Sequence, residues 1–300
     1  MVADETSRVT VFDAATNTVL GSVAIPPGGR VGDCTITLDE SLGFVTDFRG
    51  LLWVIDLTSS PPAFAPGINP IPISNNGEDT ELSFDGRYLL VTDGSAFQPV
   101  SVVDLATRAE VDTLSRGADF TSVDACEDGS VLVTSFAQAS VQRLSLDSSG
   151  QLSDTGESLP LEGASNVYCA PGAATGFGIG GGQLQSFTLP GLAPLDTQSF
   201  DGMAICGAIN AAGDLVVGRS TGSVNAIKGF GYDPANGQFG PLRFQRPVTS
   251  TRALFGMDQM AIEPTNERLY VPVAGGVAAE LDQPGLVRVQ FQPELREPLA

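Results

Sequence analysis

Histidine is absent from this 300-residue chain, and lysine occurs once, at Lys228. Without histidine the usual general base and the commonest metal ligand are missing, as is any Ser–His or Cys–His nucleophile pair. An enzyme built on this chain would work with carboxylates, Lys, Tyr, Arg or Cys. Cysteine is sparse, at Cys34, Cys126, Cys169 and Cys206, and no two form a C-x-x-C. That disfavours a zinc ribbon, a redox dithiol and haem attachment. No apolar run is long enough to span a bilayer, so no membrane insertion is expected. No long amphipathic helix, linker or low-complexity tail stands out. The opening MVADETSR has no apolar signal region, which fits either a cytoplasmic protein or a mature exported form with an added Met. Basic residues are few: 15 against 35 acidic, a net charge of −20. Such a field repels nucleic-acid phosphates and anionic headgroups, so nucleic acid is not expected as a partner. It suits a solvated exported protein, a salt-rich habitat or cation binding, and in the plainest reading it is solubility charge spread over loops.

What the chain has in plenty is turns and short strands. Its 35 Gly and 20 Pro punctuate a chain that is 42% hydrophobic, enough for a sizeable core. One stretch, LSFDGRYLLVTDGSAFQPVSVVDLATRAEV (82–111), sets the pattern: strand, Asp-Gly turn, strand, loop, strand, turn, strand. Its second-strand marker recurs at Val45-Thr46-Asp47, Val91-Thr92-Asp93 and Val133-Thr134-Ser135, with weaker copies near Ile179, Val217 and Val271. The spacing is roughly the 40–50 residues of a four-stranded propeller blade. A third-strand marker recurs as VTVFD (9–13), LWVID (52–56), VSVVD (100–104), VQRLSL (141–146), LQSFTL (184–189), SVNAI (223–227) and VRVQF (287–291). Asp85-Gly86, Asp128-Gly129 and Gly213-Asp214 fall where a tight hairpin needs positive φ. The expected fold is therefore all-β: a single propeller over 1–300 with four-stranded blades. Six first–second strand pairs favour six blades, with seven the alternative. The strands near 9–12 and 19–25 are expected to close the ring beside 287–291.

At this level of detail the chain resembles a known family. VTVFDAATNTVLGSVAI followed by TLDESLGFVTD, and the 82–111 stretch, are similar to the YVTN-type β-propeller repeat of bacterial and archaeal surface proteins. GFGYDPANGQFGPL (229–242) is similar to a unit of the lactonase-type propellers. The resemblance is clear over 8–146 and weak beyond it. The fourth copy is Gly-rich (176–182) and the sixth carries an insertion (274–284). The resemblance implies a secreted, periplasmic or cell-surface protein and says little about activity. Lactonase-type propellers generally place a His in their proposed site, and this chain has none.

Loops leading from one blade's outer strand to the next blade's inner strand open on one face of a propeller. Here they carry Arg30 and Asp33, Glu78 and Asp79, Arg116 and Asp119, Ser165 and Asn166, Asp201, and Arg252 and Asp258. Recurring once per repeat, they are expected to gather at the channel mouth. Such a ring can coordinate a hard cation through oxygen or bind a polar ligand. Otherwise these are turn-forming and capping residues of solvated loops. No D-x-D-x-D-G loop is present, so Ca2+ has no dedicated motif. Cys126 and Cys169 align in adjacent repeats; they form a disulfide across two blades in an oxidising compartment, or are buried thiols. Lys228 is expected at the surface, and Phe230, Tyr232 and Phe239 are candidates for exposure. Three functions follow. The first is a monomeric, non-catalytic propeller that binds a protein or small polar ligand at the channel mouth. The second is a lactonase-like hydrolase using Asp or Glu with Arg. The third is a Ca2+-stabilised envelope protein.

Overall fold

The computed structural model describes residues 1–4, 7–14, 16, 18–94, 99–115, 119–172, 174–200, 202–221, 226–247, 260–262, 268–272 and 286–290. Their regular structure is all β, in seven antiparallel sheets. The first sheet holds β1 (Val2–Asp4), β2 (Arg8–Asp13) and β3 (Thr18–Ala24). The second holds β4 (Val31–Ile36), β5 (Leu42–Asp47), β6 (Leu51–Asp56), β7 (Ala63–Phe64) and β8 (Ile71–Pro72). Three four-stranded sheets follow: β9 (Asp79–Leu82), β10 (Tyr88–Thr92), β11 (Val100–Asp104) and β12 (Ala109–Leu114); then β13 (Ser122–Ala125), β14 (Ser130–Ser135), β15 (Ser140–Leu146) and β16 (Leu152–Pro160); then β17 (Ala164–Cys169), β18 (Thr175–Gly180), β19 (Gln183–Thr188) and β20 (Pro194–Ser199). The sixth sheet holds β21 (Met203–Ile209), β22 (Leu215–Thr221), β23 (Ala226–Asp233) and β24 (Gln238–Pro247), and the seventh β25 (Ala261–Ile262), β26 (Arg268–Pro272) and β27 (Leu286–Gln290).

Each sheet is a meander, save that β7 and β8 both pair with β6 in the second, and the first strands of successive sheets adjoin in series: β1, β4, β9, β13, β17, β21, β25. That is the arrangement of propeller blades about an axis. Burial follows position within a blade. β10, β11 and β14 are buried along their whole length, because a middle strand has a neighbouring sheet on both faces. β12 alternates exposed and half-buried residues, as an outer strand with one wet face must. The core accordingly lies between blades. Tyr88, Leu90 and Val102 of one sheet meet Val131, Val133 and Leu144 of the next, and Phe44, Leu52 and Val54 meet Leu89, Val91 and Val103. The Asp-Gly turns behave as the sequence implies: Gly86 has φ +69° and Gly129 has φ +82°.

The Pro-rich stretch from 58 to 74 supplies the broken outer edge of the second sheet. Between β7 and β8 the Asn69 amide replaces a strand residue. Val54 N–H donates to Asn69 Oδ1 at 3.0 Å, and Asn69 Nδ2 donates to the Val54 carbonyl at 2.6 Å.

Two expectations are corrected here. Lys228 is 6% exposed, not at the surface; it lies inside β23, a strand covered on both faces, with Nζ 5.6 Å from the centre of the Phe200 ring. Phe230 and Tyr232 are 4% and 5% exposed and pack with Phe177 and Phe200, with half-buried Phe239 against them. Their hairpin lies against the preceding blade, where aromatic area is most usefully buried.

Cys126 and Cys169 are joined by a disulfide with Cα atoms 5.4 Å apart. It ties the inner edges of the β13 and β17 sheets and closes a 43-residue separation. Replacing Cys126 with Ser is expected to lower unfolding stability by about 2–4 kcal/mol, the usual value of such a crosslink. Denaturant titration of oxidised wild type against Cys126→Ser measures it, and wild type under strong reductant should match the variant.

Candidate functional site

The inner strands present the same problem in every blade. Each is the edge of its sheet, so one row of its backbone N–H groups faces away from the ladder with no strand to pair with. A side chain from the preceding blade meets that need four times. Asp33 Oδ2 accepts from the Thr80 N–H at 3.0 Å and from its hydroxyl at 2.8 Å. Asp79 Oδ2 accepts from the Val123 N–H at 2.9 Å. Asp124 Oδ2 accepts from the Cys169 N–H at 2.6 Å. Tyr168 Oη accepts from the Gly207 N–H at 2.9 Å. The chain of contacts runs β4, β9, β13, β17, β21, one link per blade.

Behind these links the side chains form an axial wall. Asp79 is buried, while Asp33, Thr35, Glu81, Asp124 and Tyr168 are half-buried. Half-burial on an innermost strand means protein on most sides and solvent along the axis. The electrostatics match. Burial, then repulsion from Asp79, pushes Asp33 up to about 8. Burial raises Asp124 to about 6, against hydrogen bonds from Cys169 and Ala125 that pull it down. Burial and then the charges of Asp124, Asp79 and Asp33 drive Glu81 well above the carboxylate range. Nearer the mouth, burial lifts Glu78 to about 7 despite the Gly94 N–H at 2.5 Å, and Asp93, Asp79 and Asp119 push the same way.

The positions expected from sequence therefore divide. Asp33, Glu78, Asp79 and Asp119 come within electrostatic reach of one another in a linked series. Asp119 is 8% exposed and caps the turn between β14 and β15, accepting from Ser135 Oγ at 2.8 Å and the Ala137 N–H at 3.0 Å. Asn166 is 2% exposed, with Nδ2 3.5 Å from Ser122 Oγ. Ser165 is half-buried, and its carbonyl accepts from Thr134 Oγ1 at 3.1 Å. Arg30 is exposed and lies over the Phe48 ring at 4.9 Å. Arg116, Asp201, Arg252 and Asp258 lie outside the described residues. Sequence reasoning missed Glu81, Asp124 and Tyr168. For Asp124 and Tyr168 the signal is a polar side chain between apolar ones inside a first strand; Glu81 follows Asp79-Thr80 and carries no such alternation. Among the described residues no three His, Cys, Asp or Glu side chains are grouped closely enough to hold a metal ion.

No protein-family model matches the sequence, and no curated protein matches it. Solved structures do. A functionally unknown protein from Desulfotomaculum acetoxidans DSM 771 aligns with TM-score 0.81 and 17% identity, over 91% of this chain and 87% of that one. The periplasmic gluconolactonase of Pseudomonas aeruginosa aligns with TM-score 0.71 and 19% identity, over 89% and 84%. A 6-phosphogluconolactonase candidate from Bacteroides uniformis aligns with TM-score 0.73 and 14% identity, over 88% and 83%. At these identities the likeness is one of fold, and the fold is a β-propeller.

The raised carboxylates carry a stability signature. Asp33, Glu78 and Asp124 keep protons in the folded state that the unfolded chain releases near pH 4. The folded state then binds more protons than the unfolded one between about pH 4 and 8, so stability falls as pH rises through that window. Asp47, Asp56 and Asp104 have lowered values and act the other way, but only below about pH 4. The melting temperature is expected to fall from pH 5 to pH 8.5, and Asp33→Asn should flatten that fall. A wild-type profile that is level or rising across this range would contradict the assignment.

Proposed function

We propose that the chain is an exported, monomeric propeller that binds a small polar ligand at the channel mouth and along the axial wall. The observation that carries this is the half-buried row Asp33, Glu81, Asp124 and Tyr168, polar groups lining the axis at successive blades. A concave site with a few converging polar groups is where a propeller takes a ligand. The Cys126–Cys169 bridge supports an oxidising compartment. The periplasmic location of the Pseudomonas neighbour fits the same reading. The net charge of −20 disfavours nucleic acid and anionic ligands. The seven sheets, with β1 against β4, favour seven blades over six, the ring closing between the β25–β27 sheet and the β1–β3 sheet. A thermal-shift screen against sugars, neutral lactones, amines and organic acids tests the ligand reading. Stabilisation by one class follows from mass action. A flat response across all four classes at millimolar concentration would overturn it.

A second reading has its own support. Two of the neighbours are a gluconolactonase and a 6-phosphogluconolactonase candidate. Glu78 sits at the mouth with its titration pushed to about 7, where a general base works best at neutral pH. In that reading Glu78 would take the proton from a water attacking a lactone carbonyl. Hydrolysis of a neutral aldonolactone is then expected to drop about 100-fold or more in Glu78→Gln, the usual share of a general base. Turnover that survives this change, or that is missing from wild type, removes the reading.

A further inference from the structure

The outer edge of the second sheet is broken. β7 and β8 are two residues each and both pair with β6, so the continuous outer strand that borders each of the next three sheets is missing there. Between this edge and β12 of the third sheet lies a pocket of about 510 Å3, a size that small-molecule sites commonly have. Ile68, Ile71, Pro72 and Ile73 give it an apolar lining, and Ile68 is 53% exposed. Arg108, just before β12, and Glu110, within it, add one charge of each sign. Both are half-buried. Arg108 Nη1 donates to the Pro66 carbonyl, which leaves the Nε and Nη2 donors of the fork for another acceptor. Arg49, Arg87, Arg143 and Arg243 each pair with a carboxylate; among the described residues none pairs with Arg108. The backbone of Arg108 has φ +52°, where glycine or asparagine costs less, so the turn itself does not call for an arginine. Glu110 accepts from the Ser74 N–H at 2.8 Å and from the Ser74 hydroxyl, and each of its oxygens keeps a second lone pair.

We propose that this pocket is a second binding site, on the outer rim and separate from the channel mouth, for an apolar α-amino acid. Its carboxylate would take the free donors of Arg108, its ammonium group would add to Glu110, and its side chain would lie on the isoleucine lining. Three features select that class. A half-buried guanidinium fork without a carboxylate matches a ligand carboxylate, and such charge-assisted pairs are the strong ones. A net charge of −20 works against a plain anion at this site. A zwitterion escapes that penalty because it brings its own positive charge, and Glu110 stands two residues from Arg108 to receive it. The apolar lining rewards a branched or aromatic side chain over a small or polar one, since burying its surface is what drives it in.

Isothermal titration of the purified protein with L-leucine, L-phenylalanine, glycine, 3-methylbutanoate and 3-methylbutylamine tests the proposal. Saturable binding of leucine or phenylalanine near one per chain is expected, with glycine and the two half-ligands weaker. Arg108→Asn removes the guanidinium with a residue that tolerates this backbone, and should weaken binding about tenfold or more. Glu110→Gln keeps an acceptor for Ser74 and should weaken it severalfold. Ala109 is exposed and lines the pocket, so Ala109→Phe should fill the space and abolish binding without touching the core. The exposed Glu162→Gln should leave binding unchanged, and circular dichroism checks that each variant is folded. Butanoate binding as tightly as leucine would mean recognition of an anion alone, and equal binding of the amine would mean recognition of a cation alone; either overturns the amino-acid class. Amino-acid binding that survives both Arg108→Asn and Ala109→Phe would put the ligand elsewhere and overturn the site. No binding of any probe would overturn site and class together, and would leave the channel-mouth reading standing, because the two sites share no residue.

Discussion

The whole molecule turns on the hydrogen bonds that the inner strands cannot make for themselves. A propeller blade pairs each strand with the next, but its first strand ends the sheet at the axis. The free N–H groups there are crowded by neighbouring blades and poorly placed to reach bulk water. An unsatisfied buried N–H costs about 1–3 kcal/mol. This chain satisfies them across blades: Asp33 to Thr80, Asp79 to Val123, Asp124 to Cys169 and Tyr168 to Gly207. Each blade's inner edge is thereby fixed by its predecessor. The Cys126–Cys169 bridge adds a covalent link at one of the same junctions.

That solution creates the electrostatics of the axis. Carboxylates are strong acceptors, but successive ones share a narrow space and repel. Asp33, Asp79, Glu81 and Asp124 form such a series, and Glu78 extends it toward the mouth. Outside the axis the same residue types behave differently. Asp47 receives Arg49 and the Trp53 indole N–H at 3.1 Å, and its value is lowered. Asp147 caps its own turn through Ser149 and Gln151 and is lowered too. Aspartate is therefore put to two uses in this protein. At turns Asp47 and Asp147 are paired and held low; on the axis Asp33 and Asp124 are crowded and held toward neutrality.

Much of this fold was legible in the sequence, for a physical reason. Middle strands lie between two sheets and are buried on both faces, so the apolar and β-branched runs around Val91-Thr92 and in VSVVD stand out. Tight hairpins need positive φ, so Asp85-Gly86 and Asp128-Gly129 mark them. The candidate site was legible only in part. Asp33, Glu78, Asp79 and Asp119 were found because they lie within a few residues of where a loop enters a first strand. Asp124 and Tyr168 stand between apolar residues inside first strands, where one polar residue reads as an ordinary outward face, and Glu81 follows two polar residues of the same short strand. Only the closing of blades around the axis turns that face inward. Lys228 and Tyr232 were misplaced for the converse reason: a strand-end lysine and a hairpin aromatic look exposed until the next blade covers them.

The distinction between scaffold and site explains why similar folds at under 20% identity do not transmit a function. The middle strands are constrained by packing and carry the repeat signature. The inner strands are constrained only to offer an acceptor to the next blade. Aspartate and a tyrosine hydroxyl all meet that constraint in this one chain, at four successive junctions. Any of them can be exchanged without disturbing the core, so the axis is free to change its chemistry while the ring keeps its shape. In this protein the exchange has run almost wholly to carboxylates. A neutral hydroxyl or amide at Glu81 would serve the scaffold at least as well, because among the described residues that side chain accepts from its own chain neighbour, the Leu82 N–H at 3.0 Å. The scaffold's hydrogen bonding thus accounts for Asp33, Asp79 and Asp124. It does not account for a fourth carboxylate among them, and burial beside Asp124 and Asp79 holds that group toward its protonated form.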